Sequence, residues 1–110
     1  MINQILTSKD IADLSRRPDA EARTAAGRKV SEYYGTAEIS ETGKKLAEDI
    51  FRIMVKDVEV KVREALSESL KNYKNIPRDI VESLINDKDS VAIPFIKYYQ
   101  DLTKEDLINI

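Results

Sequence analysis

The 110-residue sequence predicts an all-α protein, a stack of helical hairpins that forms a solenoid. Three observations carry this prediction. Apolar residues recur at helical spacing in successive segments. The chain has only three Gly and three Pro, too few for the turns of an all-β fold. A phrase centred on Arg63 also occurs forty residues earlier, around Arg23.

The internal repeat is clearest when Arg23 is aligned with Arg63. Ala22 then matches Val62, Ala26 matches Leu66, Val30 matches Leu70 and Tyr33 matches Tyr73. From Val62 the apolar positions fall at i, i+3, i+4, i+8 and i+11, which is one face of an α-helix. A strand over 58–62 is the alternative, but its alternation lasts only three apolar positions. Because one hairpin cannot bury its apolar face alone, the repeat indicates a stacked array.

Composition excludes several classes of function. The chain has no Cys and no His, so it lacks thiolate nucleophiles, the usual structural zinc ligands and the commonest general base. No nucleophile–base pair or phosphate loop is present, and the sequence predicts a protein that is not an enzyme, without catalytic residues, cofactor or metal. Met1–Asp10 is mixed polar and no apolar run reaches membrane-spanning length, so we expect a cytoplasmic protein with no membrane partner.

The first predicted unit covers about 7–35. It opens with a capping box, in which Thr7 is the N-cap and Asp10 is at N3 of a short helix over about 8–16. A second helix follows from about Asp19 to Tyr34.

Two glycines mark that second helix. Gly35 follows it and is predicted to be a left-handed cap. Gly27 lies among small residues on the inner face and indicates the close approach of a neighbouring helix.

The second predicted unit covers about 40–73. Its first helix runs from about Glu41 to Val55, with an apolar inner face and a charged outer face that we interpret as solvated. Its second helix runs from about Glu59 to Asn72. The third unit, about 76–100, begins a helix at Pro77 and a second one capped by Ser90.

A fourth unit begins at 102–110. The phrase Leu102-Thr103 with Asp106-Leu107 restates the opening one, capping box and hydrophobic staple included. An apolar helical face then starts and the sequence ends. We rank a fragment of a longer array first, ahead of a terminal cap or a face covered by another chain, such as a homo-oligomer through this helix.

The sequence motif of a turn followed by Val-Arg-x-Ala-Leu resembles the signature of HEAT repeats. It stands in full at Asp57…Val62-Arg63-Glu64-Ala65-Leu66 and in weaker form at Pro18-Asp19…Ala22-Arg23. More specifically, the chain is similar to a bacterial family of domains of unknown function with HEAT-like repeats, and the phrases at 77–80, 91–95 and 102–107 carry that similarity.

This resemblance implies a HEAT-like α–α superhelix of about three hairpins plus one extra helix. It also implies an Asp–Arg ladder between units, for which this chain offers Asp57 and Arg63. The chain departs from the family pattern at two positions: Arg17 stands where the second unit has Asp57, and Ala92 stands where the second unit has Arg63.

The second helices of a solenoid line its concave surface, where partners usually bind. Aligning Ala22, Val62 and Val91 gives four outward rows, which begin with Glu21, Thr24, Arg28 and Ser31. The predicted partner surface consists of Arg28, Lys61, Glu64, Glu68, Lys71, Ile93 and Lys97.

Several side chains have both a chemical and a structural interpretation. Arg23 and Arg63 are predicted to bond to an adjoining unit rather than to a ligand. The Tyr33-Tyr34 and Tyr98-Tyr99 doublets are predicted to pack their rings in the core and leave their hydroxyls in water, with base stacking as the alternative. The one-turn pair Glu64–Glu68 is interpreted as part of a solvated face rather than as an acid/base pair.

The sequence therefore favours a non-enzymatic protein–protein interaction or scaffold module. The alternative is a HEAT-like nucleic-acid-binding domain. The 18 basic and 20 acidic residues give a net charge of −2 without a polybasic block, so nucleic acid is not favoured.

Overall fold

The computed structural model describes residues 19–36 and 38–108, and within them the protein is all-helical, with no strand. The helices are α1 (Ala20–Tyr34), α2 (Glu41–Met54), α3 (Val60–Leu70), α4 (Arg78–Ile85), α5 (Asp89–Tyr98) and α6 (Lys104–Ile108). The strand alternative over 58–62 is therefore wrong. The first predicted helix, its capping box and the last two residues lie outside the described residues.

Local hydrogen bonds explain where the helices begin. Asp19 caps α1 by accepting from the Glu21 amide at 3.0 Å, and Ser40 caps α2 by accepting from Gly43. At α6 the predicted capping box is confirmed: the Asp106 amide donates to Thr103 Oγ1, and the Thr103 amide donates to Asp106 Oδ2.

The start of α5 differs from the prediction. Ser90 is already inside the helix, and the N-cap is Lys88, which makes no side-chain cap bond. The preceding residue, Asp87, orders this turn by accepting from the Lys88 amide at 2.7 Å. The N-cap therefore lies two residues earlier than predicted, and the helix begins at Asp89.

The helices form two layers. α1, α3 and α5 pack side by side in one layer, while α2 and α4 contact each other in the second. Arg23 near the start of α1 binds Asp57 just before α3, and Tyr73 just after α3 donates to the Ser31 carbonyl near the end of α1. Because their starts and their ends are joined in this way, α1 and α3 run in the same direction.

The core lies between these layers. Each of α2 to α5 contributes fully buried apolar side chains, among them Ile50, Phe51, Leu66, Leu70, Ile80, Leu84, Val91 and Phe95. Since α3 has a neighbouring helix on either side, its buried side chains lie in the middle of the layer.

Two glycines allow close packing. At Gly27, an added Cβ would overlap the Met54 methyl group of α2, so the predicted close approach of a neighbouring helix is confirmed. The predicted left-handed cap at Gly35 is wrong, because its φ is −82°. Glycine is needed there for space instead: an added Cβ would lie 2.7 Å from Tyr73 Oη.

Candidate partner-binding groove

A groove of about 630 Å³ lies between α1 and α3. Its lining residues are Glu21, Thr24 and Arg28 of α1, and Lys61, Glu64, Ala65, Glu68 and Ser69 of α3. They fall at i, i+3, i+7 on one helix and at i, i+3, i+4, i+7, i+8 on the other, so each set is one helical face. This volume is within the range of about 300–1,000 Å³ that ligand sites occupy.

The deepest polar group of the groove is Thr24, whose side chain is 8% exposed. Among the described residues, its Oγ1 is the one buried side-chain polar atom without a hydrogen-bond partner. The hydroxyls of the two buried serines, in contrast, have partners. Ser31 donates to the Gly27 carbonyl at 2.9 Å, and Ser67 donates to the Val91 carbonyl at 2.6 Å. A buried hydroxyl without a partner costs about 1–3 kcal/mol.

The charges around the groove are mostly unpaired. Arg28, Lys61 and Glu64 make no ion pair with any described residue. Glu68 differs, because it holds Lys71 at 2.8 Å. The groove thus presents side chains of both signs, most of which have no ion-pair partner among the described residues.

The predicted surface residues divide into two groups. Arg28, Lys61, Glu64 and Glu68 line the groove together. The remaining three lie outside it, on α5 and on the turn after α3. Ile93 is 52% exposed and Lys97 is also exposed, while Lys71 sits 4.3 Å from the centre of the Tyr98 ring.

Arg23 and Arg63 each bind a carboxylate in the turn before another helix rather than remaining free for a ligand, as predicted. Arg23 binds both carboxylate oxygens of Asp57, at 2.8 and 3.0 Å. Arg63 binds Asp87 in the same way, at 2.7 and 3.3 Å, and donates a third bond to the Asp57 carbonyl. All four side chains of these ion pairs are at most 15% exposed. These arginines are therefore committed to the fold.

Asp87 was not among the predicted residues. Burial raises the pKa of its carboxyl, but hydrogen bonds from Arg63 and from the Lys88 amide outweigh this and hold the pKa below its ordinary value. The sequence feature that could have identified Asp87 is its position four residues before Val91, which is close to the spacing of Asp57 before Val62.

A second carboxylate anchors α6. The Arg78 guanidinium, together with the Thr103 amide, keeps the pKa of Asp106 below its usual range, and the residue is 3% exposed. The last described helix is thus tied to α4 by one buried acid.

The tyrosine doublets differ from the prediction in one ring and two hydroxyls. Tyr98 is 51% exposed, so the prediction that its ring packs in the core is wrong. Tyr34 and Tyr99 are buried, but Tyr34 donates to Glu48 at 2.8 Å and Tyr99 accepts from the Ile76 amide at 2.9 Å. The wet-hydroxyl prediction is therefore wrong for both. Burial, assisted by the bond to Glu48, raises the pKa of Tyr34.

The outward rows were also wrong at two positions. Thr24 and Ser31 are buried rather than exposed. With Gly27, which is also buried, they form a stripe of small residues at i, i+3 and i+7. This stripe is the sequence signal that could have identified Thr24.

Within the residues that the structure describes, no helix is both long and apolar enough to cross a bilayer. In the same part of the chain, no three acidic side chains are grouped closely enough to hold a metal ion. No protein-family model, no curated protein and no solved structure matches this chain.

Proposed function

We propose that this chain is a HEAT-like α–α superhelix, related to the bacterial family of domains of unknown function that it resembles, and a non-enzymatic module that binds a protein partner. The side-by-side layer of α1, α3 and α5 supports the superhelix. The two Arg–Asp pairs support it as well, because one links α1 to the turn before α3 and the other links α3 to the turn before α5.

One observation carries the binding function: most charges of the α1/α3 groove have no ion-pair partner among the described residues, although two other arginines on the same helices are paired. Arg23 and Arg63 have carboxylate partners, whereas Arg28 and Lys61 have none among the described residues. A fold that needed these groove charges for stability would pair them. They are available to a partner instead.

The mixed charge of the groove favours a protein over a nucleic acid. Glu21, Glu64 and Glu68 contribute three carboxylates, against the two cations Arg28 and Lys61. A phosphate backbone requires a continuous run of basic groups. A polypeptide, with donors and acceptors in alternation, matches a groove of both signs.

Site-specific photocrosslinking tests the proposal in cells of the native organism. A photoreactive amino acid at Ser69, which lines the groove, is expected to give discrete crosslinks to another protein. The same residue at Lys45, exposed on α2, is the control and should give none of these bands. Arg28→Glu in the Ser69 background should abolish the bands while the circular-dichroism spectrum stays unchanged. Equal bands from both positions, or none from Ser69, would contradict a partner in the groove.

A further inference from the structure

The midpoint of the groove differs in charge from its two ends. The two lining sets share the spacing i, i+3, i+7, and α1 and α3 run in the same direction. Aligning the sets puts Glu21 across from Lys61 at one end and Arg28 across from Glu68 at the other. Each end therefore has one positive and one negative side chain. At the midpoint Glu64 lies across from the neutral Thr24, so one negative charge has no counterpart there.

The unpartnered hydroxyl lies at this same level. A helical threonine has two favourable χ1 rotamers, since its hydroxyl can reach a preceding carbonyl in one of them. Thr24 makes no such bond, whereas Ser31 in the same helix does. Oγ1 is buried in this structure, so its use by a ligand in the groove requires rotation about χ1. The midpoint thus combines a carboxylate on α3 with an unpartnered hydroxyl on α1.

We propose that the midpoint is a subsite for an arginine side chain of the protein partner, an inference that rests on the proposed function. The planar guanidinium has five N–H donors in a fixed fork. Two of them match the Glu64 carboxylate, and a further one reaches Thr24 Oγ1. The mixed pairs at the groove ends then face the backbone on either side of that arginine, which carries both N–H and C=O groups.

Heteronuclear NMR titration of the ¹⁵N-labelled chain tests the subsite. The probe is an acetylated and amidated alanine pentapeptide with arginine in the middle. It is expected to shift the amide signals of residues 24, 64 and 65 first. The same peptide with citrulline, the neutral isostere of arginine, should bind about tenfold more weakly, because the charge-assisted hydrogen bond is lost. A lysine peptide should fall between the two.

Two variants assign the acceptors. Glu64→Gln should weaken the arginine peptide about tenfold and remove its preference over citrulline. Thr24→Val keeps the shape of the side chain and should weaken binding several-fold. The matched controls are Glu82→Gln on α4 and Thr42→Val on α2, both exposed and remote from the groove, and they should bind as the wild type does.

The outcomes separate this inference from the proposed function. Equal binding of the arginine, lysine and citrulline peptides, or signal shifts confined to other residues, would overturn the subsite. If crosslinks from Ser69 persist in that case, the groove still binds a protein and the arginine assignment alone is wrong. If the crosslinks are absent as well, both proposals are wrong.

Discussion

The two flanks of α3 are joined to their neighbours in different ways. On the side of α5, contacts occur at every turn, from residues spaced by four. Arg63 binds Asp87, Ser67 donates to the Val91 carbonyl, and Lys71 lies over the Tyr98 ring. This interface is closed along its length.

On the side of α1, the described contacts of this kind lie near the two ends. Arg23 binds Asp57 at one end, and Tyr73 donates to the Ser31 carbonyl at the other. The groove lies between them, with the unsatisfied hydroxyl of Thr24 at its midpoint. The two flanks differ in where their polar and ring contacts lie and not in whether the helices pack, because α1 and α3 are also in extensive contact. The candidate site is the interval in which the described residues make no such polar or ring contact between the two helices.

Removing the first contact of the closed flank should have the largest effect. Arg63→Ala leaves the Asp87 carboxylate, 13% exposed, without its partner. We expect the free energy of unfolding to fall by about 2–4 kcal/mol, since breaking a buried ion pair leaves an uncompensated charge. Urea denaturation followed by circular dichroism measures it.

The matched control is Arg28→Ala, in the groove on the α1 side of α3. Because Arg28 is exposed and has no ion-pair partner among the described residues, its loss should change stability by less than about 0.5 kcal/mol. Similar losses for both arginines would remove the distinction between the two flanks.

Acid should reduce the effect of the Arg63 substitution. In the wild type the pKa of Asp87 is lowered, so the ion pair stabilises the fold above the ordinary value of 3.8 and this contribution is lost as the pH falls further. In Arg63→Ala the Lys88 amide bond remains but the guanidinium is lost, so burial weighs more heavily and the pKa of Asp87 should be higher than in the wild type. Protonation then relieves the unpaired charge at a higher pH.

The stability difference between wild type and Arg63→Ala should therefore be largest near neutral pH and narrow as the pH approaches 4. Urea titrations across that range measure it. The Arg28→Ala difference should stay flat. A stability difference between wild type and Arg63→Ala that does not change with pH would show that the charge of Asp87 does not cause the destabilisation.

The second contact of the closed flank should have a smaller effect. Ser67→Ala removes the fully buried hydroxyl that donates to the Val91 carbonyl. We expect a loss of about 1 kcal/mol, the net value of one hydrogen bond. Ser69→Ala, two residues away in the groove lining, should have almost no effect on stability. If Ser69→Ala lowers the free energy of unfolding as much as Ser67→Ala does, the α1 side of α3 depends on side-chain hydrogen bonds as strongly as the α5 side.

The helices were predictable because their signals are local. Asp19, Ser40 and the Thr103–Asp106 box mark helix starts by bonds to the next two or three residues. The cap at Ser90 failed because Asp87 orders that turn by bonding to the Lys88 amide, and the helix starts earlier.

The site was only partly predictable. Helical periodicity identified Arg28, Lys61, Glu64 and Glu68 as one surface, but it also turned Thr24 outward. The burial of Thr24 depends on how closely α1 approaches its neighbours, which spacing does not encode. The partner of Arg63 was missed because the third unit is shorter: twenty-nine residues separate Val62 from Val91, against forty between Ala22 and Val62.

The smallest expected effect has the opposite sign. Thr24→Val replaces a buried hydroxyl that has no hydrogen-bond partner by a methyl group of the same shape. Removing an unsatisfied polar group should raise the free energy of unfolding, by about 0.5–1 kcal/mol. Thr42→Val, at an exposed position of α2, is the control in urea denaturation and should not stabilise. A destabilised Thr24→Val would mean that the hydroxyl already has a partner in the free protein. A stabilised variant that binds the arginine peptide more weakly would show that Thr24 is retained at the expense of stability, which is the behaviour expected of a binding residue and of no other buried hydroxyl that the structure describes.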